Sequence, residues 1–200
     1  MQDLYKTIAK PVSNALYKEK GSKFIGYAFP VTDEEQINAY FEQVKKEHHK
    51  ARHWCYAWRM GYPDEHYRIN DDGEPSGTAG LPIYGQIQSF ELTNVMVVVV
   101  RYFGGTKLGV SGLINAYKTT AKEILNQSMI IEKTIDKTFY FIFEYADMDK
   151  VLRVLRQYEV NFLEQDMAMN CKFKVSIRES QAKILLQTIE KLRCVTIMEL

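Results

Sequence analysis

The last third of this sequence lacks two residue types that are frequent before it. All 11 glycines and all 5 prolines lie before residue 113. Because glycine and proline mark turns and loops, this shift in composition indicates a change of architecture along the chain. We therefore predict a domain boundary near residues 130–137, with an N-terminal domain over residues 1–133 and a C-terminal domain over residues 137–200.

The sequence also has few cysteines, almost no net charge and no long apolar run. These features argue against disulfide-rich or zinc-binding, strongly basic, and membrane or secreted proteins, respectively. The three cysteines are widely spaced, which argues against a disulfide framework or a zinc knuckle. With a net charge of +1, any contact with nucleic acid requires a local basic patch. No stretch reaches the roughly 18 apolar residues that span a bilayer, and the N-terminus has no apolar run typical of a secretory signal. We expect a cytoplasmic protein without membrane contact.

Hydrophobic patterns predict mixed α and β structure in the N-terminal domain. Strands are expected over residues 13–20, 23–30, 53–60, 66–69 and 95–100. The last is a continuous β-branched run, typical of a strand that is covered on both faces. Three helices are predicted. The first begins at Thr32, which forms a capping box with Glu35, the second covers residues 78–90, and the third begins at Val110.

The C-terminal domain has a simpler pattern, with the element order βαββαβ of a ferredoxin-like split fold. Strict alternation from Met169 to Ile177 indicates a strand with one buried and one polar face. Ser180 is the predicted N-cap of the second helix. The fold class is therefore α+β.

One candidate site is an acidic loop over residues 71–80, which mixes three carboxylates with turn-forming residues. Oxygen ligands on a glycine-rich loop suit Mg²⁺ or Ca²⁺, and a carboxylate there is also a candidate general base. In the alternative interpretation the acids cap local turns, and Glu74 pairs with a neighbouring arginine. The sequence leaves both open. The pocket residues predicted from this loop are Asp71, Asp72, Glu74, Ser76 and Thr78.

A second candidate site is the glycine turn of residues 101–109, between a predicted buried strand and a predicted helix. Glycine-rich turns in that context bind phosphate. The spacing fits neither a Walker motif nor a dinucleotide fingerprint, so no cofactor is expected. Tyr102 and Phe103 either stack on bases or belong to the core. The predicted phosphate-binding residues are Arg101, Tyr102, Gly104, Gly105, Lys107 and Lys118.

His53 is the third candidate, on a strand whose alternation places His53, Cys55 and Ala57 on one face. Catalysis by a Cys–His pair is disfavoured, because Cβ atoms two residues apart on one strand face are roughly 7 Å apart. We predict instead that His53 bonds a loop carboxylate such as that of Asp72 and forms one wall of the pocket.

Four segments, residues 51–58, 71–80, 97–105 and 108–117, together resemble the signature of the YigZ/IMPACT family. Residues 138–200 resemble the C-terminal domain of its bacterial members. The resemblance implies an N-terminal domain like the second domain of ribosomal protein S5 and a ferredoxin-like C-terminal domain, similar to domains IV and V of elongation factor G. This chain departs from the pattern at Ser111, where a second glycine is common, and at Asn115, where a basic residue is common.

The resemblance also implies a role in translation control, which eukaryotic members exert through a ribosome-associated partner of a stress kinase. No established reaction comes with the family. Our leading hypothesis is a non-enzymatic protein that binds RNA or the ribosome, with a protein partner in translation control. The rival is a small-ligand binder or metal-dependent enzyme for a phosphorylated substrate, using His53, Asp71, Asp72 and Glu74. A third hypothesis is a protein-interaction module that uses the polar face of the C-terminal sheet.

Overall fold

The structure is a computed structural model in which residues 3–62 and 65–200 are described. Met1 and Gln2, with which the predicted N-terminal domain begins, lie outside the described residues. The chain divides into two compact units. The large unit comprises Tyr5–Lys133, and the small unit comprises Thr134–Leu200 together with Asp3 and Leu4. None of the described helices is both long and apolar enough to cross a bilayer.

A five-stranded antiparallel sheet is the framework of the large unit. The first strand of the chain, β1 (Leu4–Ile8), lies outside it and pairs with β7 (Ile130–Thr134). The five strands of the main sheet are β2 (Val12–Glu19), β3 (Ser22–Pro30), β4 (His53–Met60), β5 (His66–Asn70) and β6 (Val95–Tyr102). Their order across the sheet is β2-β3-β6-β4-β5, which places β6 in the centre.

Helices cover both faces of this sheet. They are α1 (Glu34–Glu47), α2 (Gly80–Ser89) and α3 (Gly109–Asn126). Val97 and Val99 of β6 belong to the core that includes α2 and α3, whereas Val98 and Val100 belong to the core beneath α1. Each fully buried aliphatic side chain contributes roughly 1.5–3 kcal/mol to folding. The prediction that this run is covered on both faces is therefore confirmed.

Two predicted helix starts in the large unit are wrong by one or two residues. Asp33, not Thr32, caps α1, because its Oδ1 accepts the Gln36 N–H at 2.8 Å. A carboxylate is also favoured over a hydroxyl by the positive end of the helix dipole. The second helix begins at Gly80 rather than Thr78, since the Thr78 N–H and hydroxyl both donate to the Pro75 carbonyl oxygen in a tight turn.

The small unit has the predicted order of elements. They are β8 (Asp136–Glu144), α4 (Met148–Leu155), β9 (Val160–Met167), β10 (Asn170–Arg178), α5 (Glu179–Glu190) and β11 (Thr196–Glu199). The antiparallel sheet has the order β11-β8-β10-β9. Along β10, Cys171, Phe173, Val175 and Ile177 are buried as predicted, but Ser176, which was predicted on the polar face, is buried as well. Met169 is an exception, because it precedes the strand and is exposed.

The predicted N-cap of α5 is also wrong. Ser180 lies inside the helix, which begins at Glu179, and its N–H donates to Asp3 Oδ2 at 3.4 Å. The same carboxylate accepts two hydrogen bonds from Arg178, at 2.7 and 3.0 Å. Hydrogen bonds from Ser180 and Arg178 lower the pKa of Asp3 to about 2. A residue from the beginning of the chain therefore supplies the acceptor that the local sequence was expected to provide.

Candidate functional site

The acidic loop and the glycine turn meet at one cleft of about 430 Å³ in the large unit. Antiparallel pairing of β4 with β6 places His53, at the start of β4, opposite Arg101, near the end of β6. His53 and the glycine turn therefore lie side by side at one end of the sheet. The cleft is lined by Arg52, His53, Glu74, Pro75, Arg101, Phe103, Lys107, Leu108, Gly109, Val110 and Leu113. Four of the predicted site residues, namely His53, Glu74, Arg101 and Lys107, are therefore brought together.

Asp71 holds the acidic loop in shape. Its Oδ1 accepts the N–H groups of Ala79 at 2.9 Å and Gly80 at 2.8 Å, and its Oδ2 accepts the Gly77 N–H at 2.8 Å. These bonds satisfy donors at the beginning of α2, which would otherwise lack partners. Both oxygens of Asp71 are thus occupied by backbone, as the structural alternative for this loop predicted.

Asp72 ties the same loop to β4. Its Oδ2 accepts the Trp54 N–H at 2.7 Å, and its backbone carbonyl oxygen lies 2.8 Å from His53 Nδ1. His53 was predicted to bond the carboxylate of Asp72, so the partner residue is right and the atom is wrong. A carbonyl oxygen only accepts, so Nδ1 carries the hydrogen of this bond and Nε2 points away from it. The loop therefore fixes the orientation of the imidazole beside the cleft.

A buried ion pair forms the floor of the cleft. Arg101 Nη1 donates to Glu74 Oε1 at 2.6 Å, and the Tyr117 hydroxyl donates to the same oxygen at 2.8 Å. Only 6% of the Arg101 side chain and 4% of the Glu74 side chain are exposed. The guanidinium also lies 5.4 Å from the ring centre of Phe24 and 5.5 Å from that of Phe103. Arg101 is therefore a neutralised, packed group rather than a free phosphate ligand.

Cys55 lies beneath this pair, and its thiol is buried. Its thiol donates to the Asp71 carbonyl oxygen at 3.0 Å and lies 3.3 Å from the Tyr117 hydroxyl. Burial raises the pKa values of both Cys55 and Tyr117 well above their usual range. Because the thiolate is the reactive form, this environment disfavours nucleophilic chemistry at Cys55.

Gly104 fixes the path of the glycine turn against the β2–β3 hairpin. A Cβ on Gly104 would lie 1.9 Å from the Gly21 carbonyl carbon and 2.2 Å from the Ser22 nitrogen. The Gly104 N–H donates to Ser22 Oγ at 3.1 Å. Gly105 has a φ of +90° with open space beside it, so it serves the bend alone. Both glycines shape the turn, and binding of phosphate by their backbone stays a prediction.

Other predicted residues lie outside the cleft. Thr78 is buried, Ser76 is exposed on the loop, and Lys118 is exposed on α3 without lining the cleft. Tyr102 points to the other face of the sheet, where its hydroxyl lies 2.9 Å from His48 Nδ1. Among the lining residues that reasoning from sequence did not select are Arg52 and Leu108. Arg52 directly precedes His53 in the family signature, which was the available signal.

The geometry gives no support to the metal site, which the sequence left as one of two interpretations of the acidic loop. No group of three or more His, Cys, Asp or Glu side chains within residues 3–62 and 65–200 is arranged to hold a metal ion. The reason is visible at each acid, since Asp71 and Asp72 accept backbone N–H groups and Glu74 pairs with Arg101. The rival hypothesis of metal-assisted chemistry therefore loses the ligands on which it depended.

Comparison with known proteins places the whole cleft within a recognised family domain. Residues 20–125, which include every residue lining it, match the family model described as the Impact N-terminal domain. IMPACT family member YvyE of Bacillus subtilis (strain 168) is 33% identical over 177 residues, covering 88% of this chain and 81% of that protein. IMPACT family member YigZ of Escherichia coli (strain K12) is 35% identical over 149 residues, covering 74% and 73%.

A solved structure has the same fold over the whole length. It is a crystal structure described as that of a hypothetical protein, and it superposes with a TM-score of 0.75 at 27% identity. The alignment covers 100% of this chain and 98% of that one. The resemblance drawn from the four sequence segments is thereby confirmed, and this chain belongs to the IMPACT family.

Proposed function

We propose that this protein is a translation-associated regulator that binds RNA, free or within the ribosome, through the cleft and without catalysis. The observation that carries the proposal is the pattern of charge in the cleft, which has three cations and one carboxylate. Arg101 neutralises that carboxylate, and Arg52 and Lys107 are exposed with no ion-pair partner among the described residues. An excess of positive charge beside an exposed aromatic ring suits a phosphate backbone with unpaired bases.

The beginning of α3 adds to this positive field. Gly109 and Val110 line the cleft, and the preceding residue, Leu108, has no side chain able to accept the first N–H groups of the helix. Free N–H groups and the helix dipole both favour an anion at that end. Phe103, which is 42% exposed, lies within the same cleft. Cations, amide donors and an aromatic face are the groups that single-stranded RNA sites combine.

A larger cavity of about 580 Å³ in the small unit does not fit the same ligand. Its charged lining consists of four carboxylates and two lysines, namely Asp3, Glu179, Glu190, Glu199, Lys137 and Lys183. An excess of negative charge repels a phosphate backbone. Charge therefore favours the smaller cleft over the larger cavity as the RNA site.

The translation context rests on family membership and on the fold. The strand, helix, strand, strand, helix, strand order of the small unit supports a ferredoxin-like assignment, and we extend the proposal to an S5-like large unit. Domains of these two types, as in domains IV and V of elongation factor G, are the basis for expecting the ribosome, whereas family membership is the basis for expecting a protein partner in translation control. A ribosome-associated protein is in turn expected in the cytoplasm. Fold analogy is only an association, so the charge in the cleft is the stronger support.

The test is fluorescence anisotropy of a labelled RNA with the purified protein and two single variants. We expect binding at about 50 mM salt that weakens markedly by about 200 mM, because released counterions drive it. Lys107→Ala should weaken binding several-fold. It should also reduce the slope of the logarithm of the binding constant against the logarithm of the salt concentration by about 0.7, the value for one phosphate contact on a single strand. The matched control is Lys46→Ala, which removes the same charge from the exposed side of α1, on the other face of the sheet. Absence of binding at low salt, or equal effects of the two variants, would count against the proposal.

A further inference from the structure

Phe103 forms a ridge between two clefts of nearly equal size. On one side lies the cleft described above, of about 430 Å³. On the other side lies a second cleft of about 420 Å³, lined by Gly21, Lys23, Ile25, His48, Tyr102 and Phe103. Arg101 faces α2 and α3 while Tyr102 faces α1, so the two clefts lie on opposite faces of the sheet, at the end of β6. Phe103, the next residue, belongs to both.

The second cleft also carries unneutralised positive charge. Lys23 is exposed and forms no ion pair with any residue in the described ranges. No carboxylate belongs to the described lining of this cleft. Together with Arg52 and Lys107 across the ridge, Lys23 completes a set of three exposed cations that flank one aromatic ring. A polyanion that crosses the end of β6 would meet positive charge on both sides.

The walls of the second cleft are held in place by their own hydrogen bonds. The His48 ring lies between two hydroxyls, with Nδ1 2.9 Å from that of Tyr102 and Nε2 in contact with that of Tyr27. The Tyr27 hydroxyl also lies 2.9 Å from Glu47 Oε1. Desolvation lowers the pKa of His48 from its usual value, so the imidazole stays neutral near physiological pH. The Tyr102 wall is therefore fixed before any ligand arrives.

The ridge itself is also preorganised. The Arg101 guanidinium lies against the Phe103 ring, 5.5 Å from its centre, and Glu74 in turn holds Arg101. Directly after Phe103, the backbone of Gly104 is packed against Gly21. A ring held on one side by a cation and exposed over 42% of the residue is a prepared surface for stacking.

We propose that the two clefts are one bipartite site for single-stranded RNA, whose backbone crosses the end of β6 with an unpaired base stacked on Phe103. Lys23 contacts the phosphate on one side of the ridge, and Arg52 and Lys107 contact the phosphates on the other. A duplex does not fit this geometry, because its bases are paired and stacked on each other and cannot reach the ring. The inference rests on the proposed function, which it restricts to single strands and extends to a second cleft.

The experiment compares one labelled oligoribonucleotide, single-stranded and annealed to its complement, by fluorescence anisotropy. The wild-type protein should bind the single strand about tenfold more tightly than the duplex, since one stacked base adds roughly five- to 150-fold to the affinity. Phe103→Leu, which keeps an apolar residue on the ridge but removes the aromatic face, should abolish most of that preference. Lys23→Ala should weaken single-strand binding about as much as Lys107→Ala, whereas Lys122→Ala, at an exposed lysine of α3 that lines neither cleft, should have no effect. Tryptophan-fluorescence melting of each variant checks that the large unit remains folded.

The outcomes separate this inference from the proposed function. If no form of the RNA binds at low salt, the proposed function fails and the inference fails with it. If RNA binds and Lys107→Ala weakens it, but duplex and single strand bind equally, the proposed function stands and the single-strand inference is overturned. The bipartite site is likewise overturned if Lys23→Ala binds like the wild-type protein, because the second cleft would then have no part in binding.

Discussion

Glu74→Gln measures how much the buried ion pair at the floor of the cleft contributes to the free energy of unfolding. The substitution keeps the size of the side chain and can still accept the Tyr117 hydroxyl, but it leaves the Arg101 cation without a counter-charge. Removing one partner of a buried pair costs about 3–5 kcal/mol. Since the amide keeps part of the hydrogen bonding, we expect a loss near the lower end, about 3 kcal/mol of the free energy of unfolding.

Urea unfolding followed by tryptophan fluorescence measures this loss where it occurs. The protein has two tryptophans, and both lie on β4 within the large unit. With an m-value of about 2 kcal/mol per molar urea, a loss of about 3 kcal/mol lowers the midpoint by about 1.5 M. The Lys46→Ala variant, altered on the exposed side of α1, is the control and should unfold with the wild-type midpoint.

A double-mutant cycle shows whether the loss belongs to the pair. Arg101→Gln should also destabilise, since it leaves Glu74 buried and unpaired, and the double variant should be more stable than the sum of the two single losses predicts. The coupling should be about 1–3 kcal/mol. A loss below about 1 kcal/mol for Glu74→Gln, or strict additivity, would refute the buried pair, because exposed pairs contribute only that much. Arg101 would then be available to bind phosphate directly.

Two further predictions concern the glycine turn and the beginning of the chain. Gly104→Ala should lower the free energy of unfolding by about 3 kcal/mol, since its Cβ would overlap the backbone of Gly21. Gly105→Ala should lower it by only about 1 kcal/mol through backbone strain. Equal losses of the two variants in urea unfolding would contradict this. The carboxylate of Asp3, whose pKa is lowered to about 2, stabilises the protein above the ordinary pKa of 3.8, and that contribution disappears as the pH falls toward 2. Wild-type and Asp3→Asn melting temperatures, followed by circular dichroism, should therefore differ at about pH 5 and converge near pH 2. A difference that does not change with pH would show that ionisation of Asp3 does not contribute to stability.

Local periodicity predicted most of the fold because it reports which face of an element is buried. The run of β6 showed no alternation, and the structure places its successive side chains in two different cores. The alternation of β10 predicted the buried face from Cys171 to Ile177. Both patterns depend only on neighbouring residues, so they can be read without knowing the rest of the chain. Met169 continued the alternation in sequence but not in the structure, since the strand begins after it.

The partners of the charged groups could not be predicted in the same way. Whether Glu74 binds a metal or pairs with an arginine depends on a residue 27 positions away and on how deeply both are buried. Similarly, the acceptor at the beginning of α5 comes from Asp3, which lies 177 positions from Ser180. Sequence spacing indicated candidate residues only, and the alternative that assigned the loop acids to turns and an arginine was the correct one for Glu74. The contact of Glu74 with Arg101 decided between metal binding and pairing with an arginine.

In the proposed RNA site, one buried and three exposed cations would make the site rigid but weakly selective for RNA sequence. A buried pair adds little net stability, because desolvation cancels most of its attraction, but it holds its groups in one arrangement. Here that arrangement positions the ring of Phe103. The charge that reaches a ligand comes from exposed lysines and arginine, whose attraction is screened by salt and is the same for every sequence. Discrimination among RNAs must then come from which bases are free to stack on the ridge, so the strength of binding should follow the unpaired character of the RNA rather than its sequence.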